Sequence, residues 1–144
     1  TALLTKSADK LLLPVDMVLG NSFDAEAEMK TTALGDVPAG WRILDIGPKS
    51  VEAFAAEISK AGTVVWNGPM GVFEFPRFAK GTFAIAQAVA DSHAISIIGG
   101  GDSVAAINQS GLGDRITHIS TGGGASLEML EGLELPGVAI LQEK

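Results

Sequence analysis

Apolar runs of strand length alternate with amphipathic stretches along this chain. The runs LLLPVDMVL (11–19), RILDI (42–46), TVVW (63–66), AISII (94–98), THIS (117–120) and GVAIL (137–141) are read as strands. Those that are apolar throughout and bounded by glycine fit strands buried on both faces, as in a parallel sheet. Between them, SVEAFAAEISKAG (50–62) places Val51, Phe54, Ala55 and Ile58 on one stripe and keeps Glu52, Glu57 and Lys60 off it. This spacing predicts an amphipathic helix stopped by Gly62. RFAKGTFAIAQAVAD (77–91) reads the same way, with Gly81 as a weak point costing about 1 kcal/mol against alanine. SVAAINQSG (103–111) and ASLEMLEG (125–132) predict shorter helices. The alternation implies an α/β domain with right-handed crossovers. Residues 20–41 interrupt the rhythm with acidic, small and turn-forming residues, so an irregular excursion with short edge strands is expected there.

Composition narrows the function classes. The 144 residues are 47% hydrophobic and contain no cysteine, which suits one soluble domain that has no need of disulfides. Ten Lys plus Arg against seventeen Asp plus Glu give a formal charge of -7, with neither sign gathered into a run. No nucleic-acid footprint is expected. No apolar stretch reaches the roughly 18–20 residues of a bilayer span, and TALLTKSADK lacks the pattern of a signal peptide. The expectation is a cytoplasmic or organellar soluble protein with no membrane partner. His93 follows a helix and His118 lies in a short apolar strand, so neither is assigned to catalysis. A zinc site is not expected, because cysteine and clusters at ligand spacing are both lacking.

Ligands of open α/β sheets bind beyond the carboxyl ends of the strands. Three strand exits here are glycine-rich: WNGPMGVFE (66–74), GGGDS (99–103) and TGGGAS (121–126). Successive exposed N–H groups leading into a helix form an anion site, and the helix dipole adds to the attraction. A phosphate is the expected ligand. A structural reading stands beside it: glycines after a strand make tight turns, Asp102 is a good helix N-cap, Ser126 with Glu128 starts a helix, and Glu74 is a solvated carboxylate. Recurrence after consecutive strands favours a ligand. Neither triplet completes G-x-G-x-x-G, since Val104 and Leu127 occupy the third-glycine positions, and no G-x-x-x-x-G-K-[ST] occurs. For a nucleotide, Asp102 would hold Mg²⁺ bridging phosphate oxygens, Glu74 would accept from ribose hydroxyls, and Pro69, Met70 and Val72 would wall the base. Trp66 is assigned to the core.

The segments VVWNGPMGVFEFPRFAKGT, IIGGGDSVAA and HISTGGGASLEMLEGLELPGV together resemble the C-terminal part of the phosphoglycerate kinase family, and KLLLPVDMVL and WRILDIGPKS match it in order and spacing. The resemblance implies a two-domain enzyme that transfers a phosphoryl group between 1,3-bisphosphoglycerate and ADP, giving 3-phosphoglycerate and ATP. It also implies a Rossmann-like parallel sheet with helices on both faces, a three-layer α/β/α domain of which residues 1–144 are the C-terminal part. By motif, Asn67, Pro69, Val72 and Glu74 would contact the nucleotide, with Leu44 at the adenine pocket. Asp102 would hold Mg²⁺ and Ser103 would stand near the phosphates. The N–H groups of Gly100, Gly101, Gly123 and Gly124 would face the moving phosphoryl group.

Some departures from the family pattern bear on this. Ile43 stands where the family has a small residue beside the adenine. By the resemblance, the phosphoglycerate site belongs to an N-terminal domain, and the lysines that the family directs at the nucleotide phosphates also lie upstream of this segment. None of Lys6, Lys10, Lys30, Lys49, Lys60, Lys80 or Lys144 falls in a glycine loop. With the family strand order 3-2-1-4-5-6, the central pair would be missing, opening a break of nearly 10 Å at about 4.8 Å per strand. The expectation is a fragment of a longer molecule with little or no turnover alone. Two other readings stay open, a non-catalytic Mg-nucleotide or phosphate-binding module and a structural fragment that self-associates.

Overall fold

A computed structural model describes residues 5–7, 10–120 and 122–141. Six strands form two three-stranded sheets. Asp16–Gly20 (β1) is the centre of the first, pairing antiparallel with Met29–Ala33 (β2) on one side and with Arg42–Ile46 (β3) on the other. The second is parallel, with Thr63–Asn67 (β4), Ile95–Gly99 (β5) and His118–Ser120 (β6) in that spatial order. Among the described residues, the helices after β3 are Pro48–Ile58 (α1), Lys80–Asp91 (α2), Gly101–Ser110 (α3), Gly123–Leu130 (α4) and Pro136–Ala139 (α5).

The α/β alternation read from the sequence is present, with helices on both faces of the parallel sheet. Trp66 and Ile98 point to one face and are buried with Ile85, Ala86 and Val89 of α2 and Ile107 of α3. Val51, Phe54 and Ile58 of α1 pack on the same cluster, as their stripe predicts. The other face carries Val65, Ile97 and His118, lined by Ser126, Met129 and Leu130 of α4. That face is only partly covered, since Val65, Ile95, Met129 and Leu130 are exposed. The expected burial on both faces is therefore incomplete: Trp66 of β4 and Ser96 and Ile98 of β5 are buried on one face, while Val65 and Ile95 on the other are exposed. A smaller cluster of Val18, Ala27, Leu44 and Phe78, with Val72 and Phe75 against it, ties the first sheet to the chain following β4.

The 20–41 excursion does supply an edge strand, β2, and it is pinned down at its far end. Arg77 donates to the carbonyl of Glu26 and lies 2.9 Å from its carboxylate, and Phe23 meets Phe75 at 5.1 Å between ring centroids.

Several expectations need correction. GVAIL is not a strand: Pro136 starts the short helix α5, and Val138, Ile140 and Leu141 are exposed without a sheet partner. A five-residue apolar run carries no periodicity to separate the two, and proline at the first helical position favours the helix. Of LLLPVDMVL only Asp16–Leu19 joins β1, because Pro14 cannot donate to a ladder. Helix α1 ends at Ile58, before Gly62, whose carbonyl instead accepts from Ile95 N–H at 2.9 Å. Gly81 is not a weak point. A Cβ there would overlap Asp45 Oδ1 and lie 2.6 Å from Ile46 Cγ1, so only glycine lets α2 pack this closely on β3.

Two buried aspartates on strands cap helices that follow later in the chain. Asp16 accepts from the N–H groups of Lys49 (3.0 Å) and Ser50 (2.8 Å) in the first turn of α1, and from the Ser50 hydroxyl at 2.6 Å. Burial pushes the Asp16 carboxyl upward, but the Ser50 hydroxyl, these two N–H groups and the Lys49 charge outweigh it and hold the group below the usual carboxylate range. Asp45 accepts from Gly81 N–H at 2.7 Å in the first turn of α2 and from Ile46 N–H at 2.9 Å. With so few donors, burial dominates and pushes its carboxyl up to about 6.

Candidate functional site

The exits of β4, β5 and β6 converge. Gly100 has φ +88, a conformation that glycine adopts freely, and a Cβ there would overlap Asn67 Oδ1. A Cβ on Gly123 would lie 2.6 Å from both Cα and N of Gly100. The opening triplet of α3 and that of α4 are thus in backbone contact, with the Asn67 amide beside them. Gly101 and Asp102 are exposed in the first turn of α3, and Gly124 is exposed in the first turn of α4.

The first turn of any helix leaves N–H groups without intrahelical partners. In α1 and α2 the buried Asp16 and Asp45 accept from them. In α3 and α4 no side chain of the described residues does. Asp102 is therefore not the N-cap that a structural reading makes it. The N-cap is Gly100, and Asp102 lies two residues further on. Ser126 likewise donates back to the Gly122 carbonyl at 3.0 Å and caps no N–H. Two adjacent, uncapped helix starts present donors to anything placed between them.

Ser103 lies in the first turn of α3 beside Gly101 and Asp102. It is buried, and its hydroxyl accepts from Gly68 N–H at 2.6 Å, so it holds the chain after β4 against α3. Trp66 is buried as expected, and its indole N–H reaches the Gly68 carbonyl at 2.6 Å. Further along this loop, Thr82 Oγ1 accepts from Met70 and Gly71 N–H, both at 3.1 Å, and Val72 N–H donates to the Leu44 carbonyl at 2.8 Å. Leu44 and Val72 share the smaller core cluster, while Met70, partly buried, packs against the main core. Pro69 is half-buried, and Glu74 and Ile43 are exposed. The expected residues thus form two groups joined by the 67–74 loop: Asn67, Gly100, Gly101, Asp102, Gly123 and Gly124 at the strand exits, and Leu44, Val72 and Glu74 beyond them.

Sequence reasoning missed Thr82 and Asp45, which hold the loop. Both lie within the segments that carry the family resemblance, Thr82 in VVWNGPMGVFEFPRFAKGT and Asp45 in WRILDIGPKS, where neither residue is assigned a role. The single signal for Asp45 is a carboxylate inside the apolar run RILDI.

Among the described residues no Lys or Arg side chain is hydrogen-bonded to the converged loops. Lys60 pairs with Glu57, Arg77 with Glu26 and Arg115 with Asp91, and Lys30 lies over the Trp41 ring at 4.2 Å. Among the described residues no group of three or more His, Cys, Asp or Glu side chains could hold a metal. Asp102 alone fits Mg²⁺ arriving with a phosphate ligand, since that ion keeps most of its waters and takes one or two carboxylates. Among the described residues no helix is long and apolar enough to cross a membrane.

Residues 1–133 match the family described as phosphoglycerate kinase. The chain is 61% identical over 137 residues to the phosphoglycerate kinase of Chloroflexus aurantiacus, covering 93% of this chain and 34% of that protein. It is 62% identical over 148 residues to that of Acidobacterium capsulatum, covering 99% of this chain and 37% of that protein. The chain therefore spans about a third of the length of these relatives. The solved phosphoglycerate kinase of Coxiella burnetii superposes with a TM-score of 0.89 at 43% identity, over 96% of this chain and 37% of that one. That of Pyrococcus horikoshii gives 0.82 at 39% identity, over 96% and 34%. Matched in sequence and in fold over almost its whole length, the chain belongs to the phosphoglycerate kinase family.

Proposed function

We propose that the converged exits of β4, β5 and β6 bind the phosphates of Mg-ADP or Mg-ATP, and that residues 1–144 are the C-terminal part of a nucleotide-binding domain. In a longer polypeptide this site serves reversible phosphoryl transfer between 1,3-bisphosphoglycerate and ADP, giving 3-phosphoglycerate and ATP, in the cytoplasm. The phosphoglycerate is held by a second domain outside this segment.

The carrying observation is the pair of uncapped helix starts packed glycine against glycine. Phosphoryl transfer passes through a loose transition state whose charge spreads over equatorial oxygens, and fixed N–H donors stabilise that charge without covalent chemistry. Gly100, Gly101, Gly123 and Gly124 supply such donors. Asn67 orders the junction between the two triplets. Asp102 holds Mg²⁺, which neutralises charge on the phosphate oxygens. Leu44 and Val72 border the base, and Pro69 shapes the loop that carries Glu74 to the ribose. Ser103 acts one step back, fixing Gly68.

Mg-ADP titration into the chain by calorimetry, with an EDTA control and with Asp102→Ala, tests this. Saturable binding that needs Mg²⁺ and weakens about tenfold or more in Asp102→Ala is expected, since hydrogen bonds and contacts to charged groups are worth roughly 1.5–3 kcal/mol. A folded chain that ignores Mg-ADP, or an Asp102→Ala variant that binds it unchanged, overturns the assignment.

A further inference from the structure

We propose that Asp45 is a positioning residue for the nucleotide: its carboxylate clamps the 67–74 loop between β3 and the start of α2, and so sets where Val72 and Glu74 stand. The inference rests on the nucleotide reading above.

The clamp is built from contacts on three elements. Asp45 is 1% exposed, on β3 next to Leu44. One carboxylate oxygen accepts from Gly81 N–H at 2.7 Å and the other from Ile46 N–H at 2.9 Å. A Cβ on Gly71 would overlap the latter oxygen and lie 2.6 Å from the Leu44 carbonyl oxygen and 2.7 Å from Asp45 Cα. A Cβ on Gly81 would overlap the same oxygen. The carboxylate is therefore wedged between two glycines, one in the loop and one in the helix. Thr82, next to Gly81, completes the link by accepting from Met70 and Gly71 N–H. The residue after Gly71 is Val72, whose N–H is fixed on the Leu44 carbonyl, and Glu74 follows two residues later. A shift of the carboxylate is thus passed directly to the loop.

A carboxylate is a poor choice for stability in this place. Burial raises its pKa to about 6, and only two backbone donors oppose that rise. The charged groups on the surrounding elements give no help: Arg42 on β3, Lys49 on α1, Glu74 in the loop, and Arg77 and Lys80 before Gly81 are exposed, and the Asp16 carboxylate is held by the N–H groups of Lys49 and Ser50 and the Ser50 hydroxyl. Costly ionisable groups of this kind gather where they organise a site.

The test combines amide NMR with calorimetry on the chain and its Asp45→Asn and Asp45→Ala variants. The amide resonances of Gly71, Val72 and Gly81 are expected to titrate with one midpoint near 6 in the parent chain and to be flat in Asp45→Asn. Asp45→Ala is expected to weaken Mg-ADP binding about tenfold or more, as small misplacements of binding groups do, while changing Mg-pyrophosphate binding less than about twofold. Asp45→Asn, which keeps an acceptor for Gly81 N–H, should restore most of the ADP affinity. Equal losses for ADP and pyrophosphate, unchanged ADP binding in a folded variant, or loop amides that ignore Asp45 would each overturn the inference. A parent chain that binds neither ligand brings down the nucleotide reading and this role with it. A parent chain that binds both, with variants that behave alike, brings down this role only.

Discussion

Replacing Gly81 with alanine sets local helix propensity directly against tertiary packing. Gly81 lies in the first turn of α2, where propensity alone favours alanine by about 1 kcal/mol. The added methyl would enter space already held by Asp45 Oδ1 and stand 2.6 Å from Ile46 Cγ1. Forcing a methyl into a filled core costs roughly 1–3 kcal/mol. If Asp45 gives way, it loses the 2.7 Å bond from Gly81 N–H, a charge-assisted bond worth roughly 1.5–3 kcal/mol. Either loss exceeds the propensity gain, leaving a net destabilisation of about 1–2 kcal/mol. Urea unfolding followed by Trp66 and Trp41 fluorescence measures it. A lower midpoint with an unchanged slope is expected, together with a melting temperature lower by about 2–4 °C for each kcal/mol. In an Asp45→Ala background the overlap with the carboxylate is gone and the Ile46 Cγ1 contact remains, so part of the Gly81→Ala cost should vanish, a coupling that a double-mutant cycle reads directly. A Gly81→Ala chain more stable than its parent would refute the packing account and restore propensity as the deciding term.

The two buried aspartates should leave separate marks on stability against pH. Asp45, raised to about 6 from 3.8, keeps its full contribution below its unfolded pKa and loses roughly 2–3 kcal/mol as pH rises through 6; Asp45→Asn should flatten that decline, and equal slopes in the two chains between pH 4 and 7 would contradict it. Asp16, held low, contributes above its unfolded pKa and loses that contribution only as pH falls below it, so acid unfolding below about pH 4 should ease in Asp16→Asn. Ser50→Ala removes the acceptor for Val15 and Asp16 N–H (2.9 and 3.0 Å) inside a buried cluster, for an expected loss of about 2–3 kcal/mol by urea unfolding. Gly123→Ala pushes a methyl into the Gly100 backbone and should abolish most Mg-ADP binding in calorimetry. Gly124→Ala meets nothing within 4 Å and should leave stability nearly unchanged, so equal effects from the two substitutions would count against the packed loops.

Much of this protein could be read from the chain itself. Strands β3, β4, β5 and β6 and helices α1 to α4 follow from hydrophobic periodicity, because a residue's side of a strand or helix is a local property of spacing. The three glycine-rich exits and the family likeness were visible for the same reason: both are contiguous patterns. GVAIL was misread because five apolar residues carry no period.

Tertiary structure decided the remainder. That Gly100 and Gly123 touch, that Asn67 reaches them, and that Ser103 turns inward to hold Gly68 depend on β4, β5 and β6 lying side by side. Asp16 and Asp45 cap helices separated from them by 33 to 36 residues, so no local window holds both partners. Gly81 shows the division most plainly. Its sequence context defines a helix position where alanine is better, and only the approach of β3 makes glycine necessary, because steric exclusion acts between atoms that are neighbours in space and distant along the chain.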